Sequence, residues 1–263
     1  MSFRIASYNI LADAYVSPKY FPGSPPELLK AGARLPGLVR RIGGLCADAV
    51  GLQEVEPAAL AELERSLAPR GWRAHFAAKG RGRPDGCALL VREPGLATIV
   101  ERRFEYPDGR EGGDPSGHVA LLAVLEHDGR RFGLAVTHVK WDPPDPPPER
   151  RFGARQIPLL LDELARVEPA CATWVVCGDF NAEPESAVID PLRRRGFRDA
   201  YGTRPRDFTC NANRRARRID FLFHTPDLAA GPVPLPAIDD RTPLPSEAEP
   251  SDHLPIAASF AWD

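Results

Sequence analysis

A chain of 263 residues, 43% of them hydrophobic, suits one sizeable α/β core, and a single catalytic domain over residues 1–263 is expected. Lys and Arg number 34 against 36 Asp and Glu, a net charge of -2, so no global positive field gathers nucleic acid and any polyanion must be held by a local patch or by metal. Five cysteines, odd in number and without a close pair, argue against a disulfide framework or zinc knuckle. The chain opens without a basic-then-apolar leader, and no apolar run nears the roughly 18 residues of a membrane helix, so a cytoplasmic protein with no membrane association is expected.

In chain order, residues 3–9 read as a first strand with Asn9 at its far end. Residues 27–46 carry apolar side chains near helical spacing and predict an amphipathic helix or a broken pair, with Pro36 marking the break. The apolar run 49–52 ends in Gln53 and Glu54, and a helical pattern resumes over 57–67. Residues 72–77, 87–91, 119–125 and 132–136 read as strands of a meander separated by turns, the last stopping at Thr137 and His138. A proline-rich loop over 143–148 leads into a helix over 149–167. Two basic clusters follow, one over Arg193, Arg194 and Arg195, the other over Arg214, Arg215, Arg217 and Arg218. In the strands 219–223 and 254–260 the polar groups lead instead of follow: Asp220 in the first, Asp252 and His253 before the second.

The stretch 175–184 organises the rest. Its apolar run stops abruptly in Gly178, Asp179, Phe180 and Asn181, which reads as a buried strand delivering a carboxylate and a carboxamide to an open edge. In an extended segment residues two apart point the same way, so Asp179 and Asn181 would face one site, with Gly178 allowing a substrate close to the backbone. Antiparallel late strands would begin where the early strands end, so Asn9, Glu54, His138, Asp179, Asp220, Asp252 and His253 would converge. Singly, each has a plainer role as a surface residue, a core histidine or a capping turn; their joint occurrence at strand termini favours a site.

Gathered carboxylates repel by about 4 kcal/mol per pair at about 4 Å and an effective dielectric near 20, which a divalent cation relieves. Hard oxygens with imidazoles and no thiolate favour Mg²⁺, or Mn²⁺ as a substitute, and a phosphate ester is the natural substrate for such a set. The second basic cluster, directly before Asp220, suits phosphate binding, and Trp141 and Phe208 stand in polar loops as candidates to stack on a base. A glycine-rich phosphate loop, a His-Glu-x-x-His helix, a Gly-x-Ser-x-Gly elbow and a Cys-x-x-Cys pair do not occur.

Together these motifs resemble the endonuclease/exonuclease/phosphatase superfamily: Ser7-Tyr8-Asn9, Gln53-Glu54-Val55, Thr137-His138-Val139, Gly178-Asp179-Phe180-Asn181, Arg218-Ile219-Asp220-Phe221 and Ser251-Asp252-His253 stand in the family's order. The chain is similar to its branch of carbon-catabolite-repressor-type deadenylases, nocturnin and Angel, through Asn9-Ile10-Leu11-Ala12-Asp13, Pro84-Asp85-Gly86-Cys87-Ala88 and His138-Val139-Lys140-Trp141-Asp142-Pro143. The resemblance implies a two-sheet α/β sandwich of mixed strands flanked by helices, four layers deep, with the site at one edge. It implies Glu54 as main metal ligand supported by Asn9, with Asp252 at a second metal. Asp179 would orient or deprotonate the water, His138 and Asn181 would bind phosphoryl oxygens, and Asp220 would fix and polarise His253. Lys140, Trp141, Phe208 and Arg218 are the substrate-binding candidates. The activity implied is Mg²⁺-dependent hydrolysis at the 3′ end of RNA or an oligoribonucleotide, with no obligate protein partner. The alternatives are an Angel-like 2′,3′-cyclic phosphatase, a small-nucleotide phosphatase, or a silent binding module on the same fold.

Overall fold

The computed structural model describes residues 2–109, 113–143, 147, 150–168, 171–202 and 207–263. One six-stranded sheet is built from β1 (Ser2–Asn9), β2 (Ala49–Val55), β3 (Trp72–Ala78), β4 (Gly86–Arg92), β13 (Leu228–Pro232) and β14 (Ile256–Trp262), in the order β13-β14-β1-β2-β4-β3. The other comprises β5 (Ala97–Glu105), β6 (Val119–His127), β7 (Arg130–His138), β8 (Trp174–Asp179), β9 (Arg198–Asp199) and β12 (Asp220–His224), in the order β5-β6-β7-β8-β12-β9. A hairpin of β10 (Cys210–Ala212) and β11 (Arg215–Arg217) stands apart from both.

Each sheet buries both faces, which is why its central strands read as nearly unbroken apolar runs. Between the sheets lie Phe3, Ile5, Leu89, Leu121, Leu134, Val175 and Leu222, among others. The outer face of the first sheet, through Tyr8, Val50 and Leu52, packs on α1 (Leu35–Gly43) and α2 (Pro57–Leu67). The outer face of the second, through Leu122, Val176 and Phe223, packs on α3 (Phe152–Val167) and α4 (Asp190–Arg194). The result is the expected four-layer sandwich. At Gly51 of β2 the sheets leave no room for a side chain: a Cβ there would lie 2.7 Å from Cys177 Sγ and 2.8 Å from a Val136 methyl.

Several elements differ from the sequence reading for identifiable reasons. The segment 27–46 divides into a 3₁₀ turn over Pro26–Leu29 and helix α1, and Pro36 sits in the first turn of α1, where its missing N–H is harmless; it starts the helix instead of breaking it. The middle strands are not one meander: β3 and β4 pair in the first sheet while β5, β6 and β7 form a meander in the second. β5 escapes the sequence reading because it is an edge strand whose side chains are mostly exposed and charged. Helix α3 begins at Phe152, whose N–H, with that of Gly153, is accepted by Asp142 Oδ2; Glu149 and most of the 143–148 loop lie outside the described residues.

β1 runs parallel to β2, and β7 parallel to β8, whereas β12 is antiparallel to β8 and β14 antiparallel to β1. The ends of the early strands and the starts of the late ones therefore lie at one edge of the sandwich.

Candidate active site

At that edge Asn9 is the hub. Fully buried, it donates from Nδ2 to Glu54 Oε1 (3.1 Å) and Asp179 Oδ2 (3.0 Å), while its Oδ1 accepts from the Leu11 N–H (3.0 Å). Glu54 reaches this position through a bulge: the β2·β4 register shifts between Leu52 and Val55, and Glu54 takes a left-handed φ of 58°. Such a conformation costs a non-glycine residue about 1–3 kcal/mol and is held by its surroundings, here by the Ala12 N–H on Glu54 Oε2 (3.0 Å).

Asp179 ends β8. Asn181 follows in a left-handed turn with φ 49°, its N–H donating to Asp179 Oδ1 (2.8 Å), so the two side chains share the site through a tight turn and not, as alternation in a strand would have it, through extended backbone. Gly178 serves the fold: at φ 148° its Cβ position lies 1.9 Å from the Thr137 carbonyl oxygen of β7, and it is the neighbouring strand, not a substrate, that approaches there.

His138 ends β7 with Nδ1 3.2 Å from Lys79 Nζ and Nε2 3.1 Å from Asn181 Nδ2. Across the site His253 Nδ1 meets Asp220 Oδ2 at 2.9 Å, and its Nε2 stands 3.7 Å from Asp179 Oδ2 and 3.9 Å from Asp252 Oδ1. Asp220 Oδ2 also accepts from Thr209 Oγ1 (2.6 Å).

The electrostatics follow from burial and charge. Burial raises the Glu54 carboxyl, against the opposing charge of Lys79, and Asp252 adds to the rise. Burial likewise pushes Asp179 up to about 7, partly offset by the His253 charge. At His253 burial disfavours the imidazolium, but the carboxylates of Asp220, hydrogen-bonded to Nδ1, and Asp252 oppose it and raise the ring. The adjacent Cys210 thiol is itself raised by burial and so is neutral near pH 7, contributing no charge to that balance. His138 goes the other way, lowered by burial and then by Lys79, which keeps it neutral.

A divalent cation fits the carboxylates of this set: those of Glu54, partly buried, and Asp179, buried, stand around Asn9 with raised pKa values that a positive charge would relieve.

The cleft in front of these groups, about 400 Å³, is lined by Tyr15, Lys79, Arg83, His118, Lys140 and Trp141 as well as by Glu54, His138 and Asn181. Trp141 is 54% exposed at its mouth. Of the other substrate-binding candidates, Arg218 is placed elsewhere: its guanidinium is buried, donating to Asp199 and to the Gly202 carbonyl, and lies 5.2 Å from the Phe221 ring, so it braces β9 and β12 instead of meeting a ligand. Phe208 packs on the small cluster of Ile238, Leu244 and Leu254 and does not line the cleft.

Tyr15, Lys79, Arg83 and His118 escape the sequence reading, though two carried the same signal as the residues it found. Lys79 stands one residue beyond β3, and His118 one residue before β6. β3 is antiparallel to β4, itself antiparallel to β2, and β6 is antiparallel to β7, so both positions fall at the edge that holds Glu54 and His138.

Fold and site together define an α/β sandwich whose sheet edge gathers carboxylates, amides and imidazoles over a cleft. The chain matches the Endonuclease/Exonuclease/phosphatase family over residues 6–253, and it belongs to that family. It is 25% identical over 329 residues to the CCR4-Not complex 3′-5′-exoribonuclease subunit Ccr4 of Candida albicans, covering 98% of this chain but 41% of that protein. It is 26% identical over 292 residues to nocturnin of Rattus norvegicus, covering 99% of this chain and 66% of the relative. The chain thus spans well under half the length of the Ccr4 relative. Its fold superposes on ANGEL2, described as a 2′,3′-cyclic phosphatase, with a TM-score of 0.87 at 21% identity, covering 99% of this chain and 95% of that one. No helix among the described residues is long and apolar enough to cross a membrane.

Proposed function

We propose that the whole chain is one catalytic unit, a divalent-metal-dependent phosphoesterase that hydrolyses phosphoesters at the 3′ end of RNA or an oligoribonucleotide by in-line attack of water. The observation that carries this reading is the meeting of Asn9, Glu54, His138, Asp179, Asn181 and His253 at one sheet edge, opening on a cleft with three cationic side chains, Lys79, Arg83 and Lys140.

Glu54 would hold the cation, with Asn9 fixing its carboxylate and Asp252 serving a second ion. Mg²⁺ suits the oxygen donors, Mn²⁺ being a substitute, and when bound it supplies Lewis-acid stabilisation of the phosphoryl charge. Asp179, held by Asn9 and by the Asn181 N–H at the cleft, would orient the attacking water and take its proton. His138 and Asn181 face the phosphoryl oxygens as neutral donors. His253, kept protonated by Asp220, sets a positive charge beside the developing negative one. Lys140 and the exposed Trp141 hold the nucleotide, by charge and by stacking.

Purified protein with Mg²⁺ and an oligoribonucleotide labelled at its 5′ end tests the reading directly. Nucleotide-by-nucleotide shortening that stops with EDTA, and that is lost in Glu54→Ala and His253→Ala, is the expected outcome; full activity in both variants would refute it. The second reading, an Angel-like 2′,3′-cyclic phosphatase, is favoured by the Arg83–Ala88 stretch, whose resemblance is to Angel and which places Asp85 beside Lys79 at the cleft. On RNA ending in a cyclic phosphate, it predicts loss of the terminal phosphate alone.

A further inference from the structure

Behind His138 lies a chain of polar groups, Lys79, Asp85 and Tyr15, the first two of them buried. Lys79, its side chain 1% exposed, donates from Nζ to Asp85 Oδ2 at 2.5 Å and faces His138 Nδ1 at 3.2 Å. Asp85 is buried as well, and its other oxygen accepts from Tyr15 Oη at 2.7 Å. On the far side of the ring, His138 Nε2 faces Asn181 Nδ2 at 3.1 Å. The orientation of that amide is fixed, because Nδ2 also donates to the Val139 carbonyl at 2.9 Å.

The imidazole thus stands between two groups that both donate, and a neutral ring has one acceptor nitrogen to offer. Lys79 has the stronger demand. Its ammonium is ion-paired and buried, a hydrogen bond from it is charge-assisted, and an N–H on Nδ1 would point at a positive charge. Nδ1 is therefore the acceptor and Nε2 carries the proton. Two N–H groups, on His138 Nε2 and Asn181 Nδ2, are then left side by side at the cleft. The nearest carboxylate oxygens to Nε2, on Asp179 at 3.7 Å and Glu54 at 4.0 Å, are beyond hydrogen-bond reach. A pair of convergent donors without an acceptor between them is complementary to one anionic oxygen, such as a phosphoryl oxygen of the substrate.

We propose that Lys79, itself anchored by Asp85, is a positioning residue that fixes His138 as its Nε2–H tautomer, so that His138 meets the substrate as a donor and not as a base. The inference rests on the phosphoesterase reading for its consequence in turnover, but not for the state of the ring.

Two-bond ¹H–¹⁵N correlation spectra of the full chain labelled at histidine nitrogen report each ring's tautomer, and the His138 signals are those lost in His138→Gln. Wild-type protein is expected to show an unprotonated Nδ1 and a protonated Nε2. Removing the lysine alone would strand a buried carboxylate, so the informative variant is Lys79→Met combined with Asp85→Asn, which leaves neither charge. In it the ring should move to the Nδ1–H form or to an average of the two, and turnover of the labelled oligoribonucleotide should fall about 10- to 100-fold in kcat, the range for loss of a ligand-orienting partner, with KM changed much less. Lys79→Arg, which keeps a charged donor, should retain the wild-type tautomer. An Nδ1–H or doubly protonated ring in the wild type overturns the proposal even if no variant folds, and so does an unchanged ring in the double variant. Absence of phosphoester turnover in the wild type would instead defeat the functional reading while leaving the spectra to decide the tautomer.

Discussion

Replacing Gly178 by alanine separates two explanations for a glycine beside the proposed catalytic carboxylate of Asp179: room for a substrate, or room for a neighbouring strand. In the structure the added Cβ would lie 1.9 Å from the Thr137 carbonyl oxygen, which is backbone and cannot swing away, and φ is 148°, a region that L residues rarely adopt. The backbone strain is about 1–3 kcal/mol, and forcing an extra carbon into a close-packed contact adds about 1–3 kcal/mol. A total of about 2–6 kcal/mol in a chain of this size lowers the melting temperature by about 5–20 °C. Gly196→Ala is the control, since it shares a positive φ of 83° but its Cβ would meet nothing within 4 Å; it should cost about 1 kcal/mol, from strain alone. Thermal unfolding followed by circular dichroism gives both values. The β7·β8 pairing holds His138 opposite Asp179, so Gly178→Ala should also lose most of its turnover at temperatures where it remains folded. If it melts within about 2 °C of the wild type, or no lower than Gly196→Ala, the strand-contact explanation is wrong and the substrate explanation stands.

Asp220→Asn should leave the fold intact and reduce kcat by about 10²- to 10⁴-fold, because His253 loses the charge that holds its proton; steady-state kinetics showing less than a twofold effect would remove His253 from the mechanism. Arg218→Met leaves the half-buried Asp199 carboxylate without its partner and should destabilise the protein by roughly 1–3 kcal/mol in a denaturant titration, whereas Trp141→Ala should leave stability within about 0.5 kcal/mol and raise KM about 10-fold. The reverse pattern would return Arg218 to the substrate. Burial, then the charges of Lys79 and Arg83, lower His118 to about 2, so its folded ring stays neutral while the unfolded chain takes up a proton below about pH 6.5. The unfolded state binds the extra proton, so stability falls as pH falls, by about 1.4 kcal/mol from this one group between pH 7.5 and 5.5. His118→Phe should recover that loss, and parallel stability profiles for the two proteins would contradict it.

How far the site can be read from sequence depends on where a side chain's direction is decided. Asn9, Asp179 and Asp220 lie at the ends of strands whose apolar runs identify them, and the parallel or antiparallel sense of those strands is enough to bring them to one edge. Glu54 and Asn181 sit at the same edge, but their side chains are aimed by left-handed backbone, one in a bulge and one in a turn. Period-two alternation carries no information about such residues, which is why a strand argument reaches Asn181 for the wrong reason. Arg218 shows the opposite failure. It stands just before the strand that begins with Asp220, but its guanidinium is turned to Asp199 on a two-residue strand that nothing in the sequence announces. Lys79 is the instructive case: an ammonium one residue beyond β3 reads as a solvated end, and only the structure shows that Asp85, one residue before the adjoining strand β4, draws it inward beneath His138. Strand order and sense therefore specify which residues reach the edge, whereas bulges, turns and buried ion pairs specify what each can do there. The functional assignment rests on the first, and the protonation of His138 on the second.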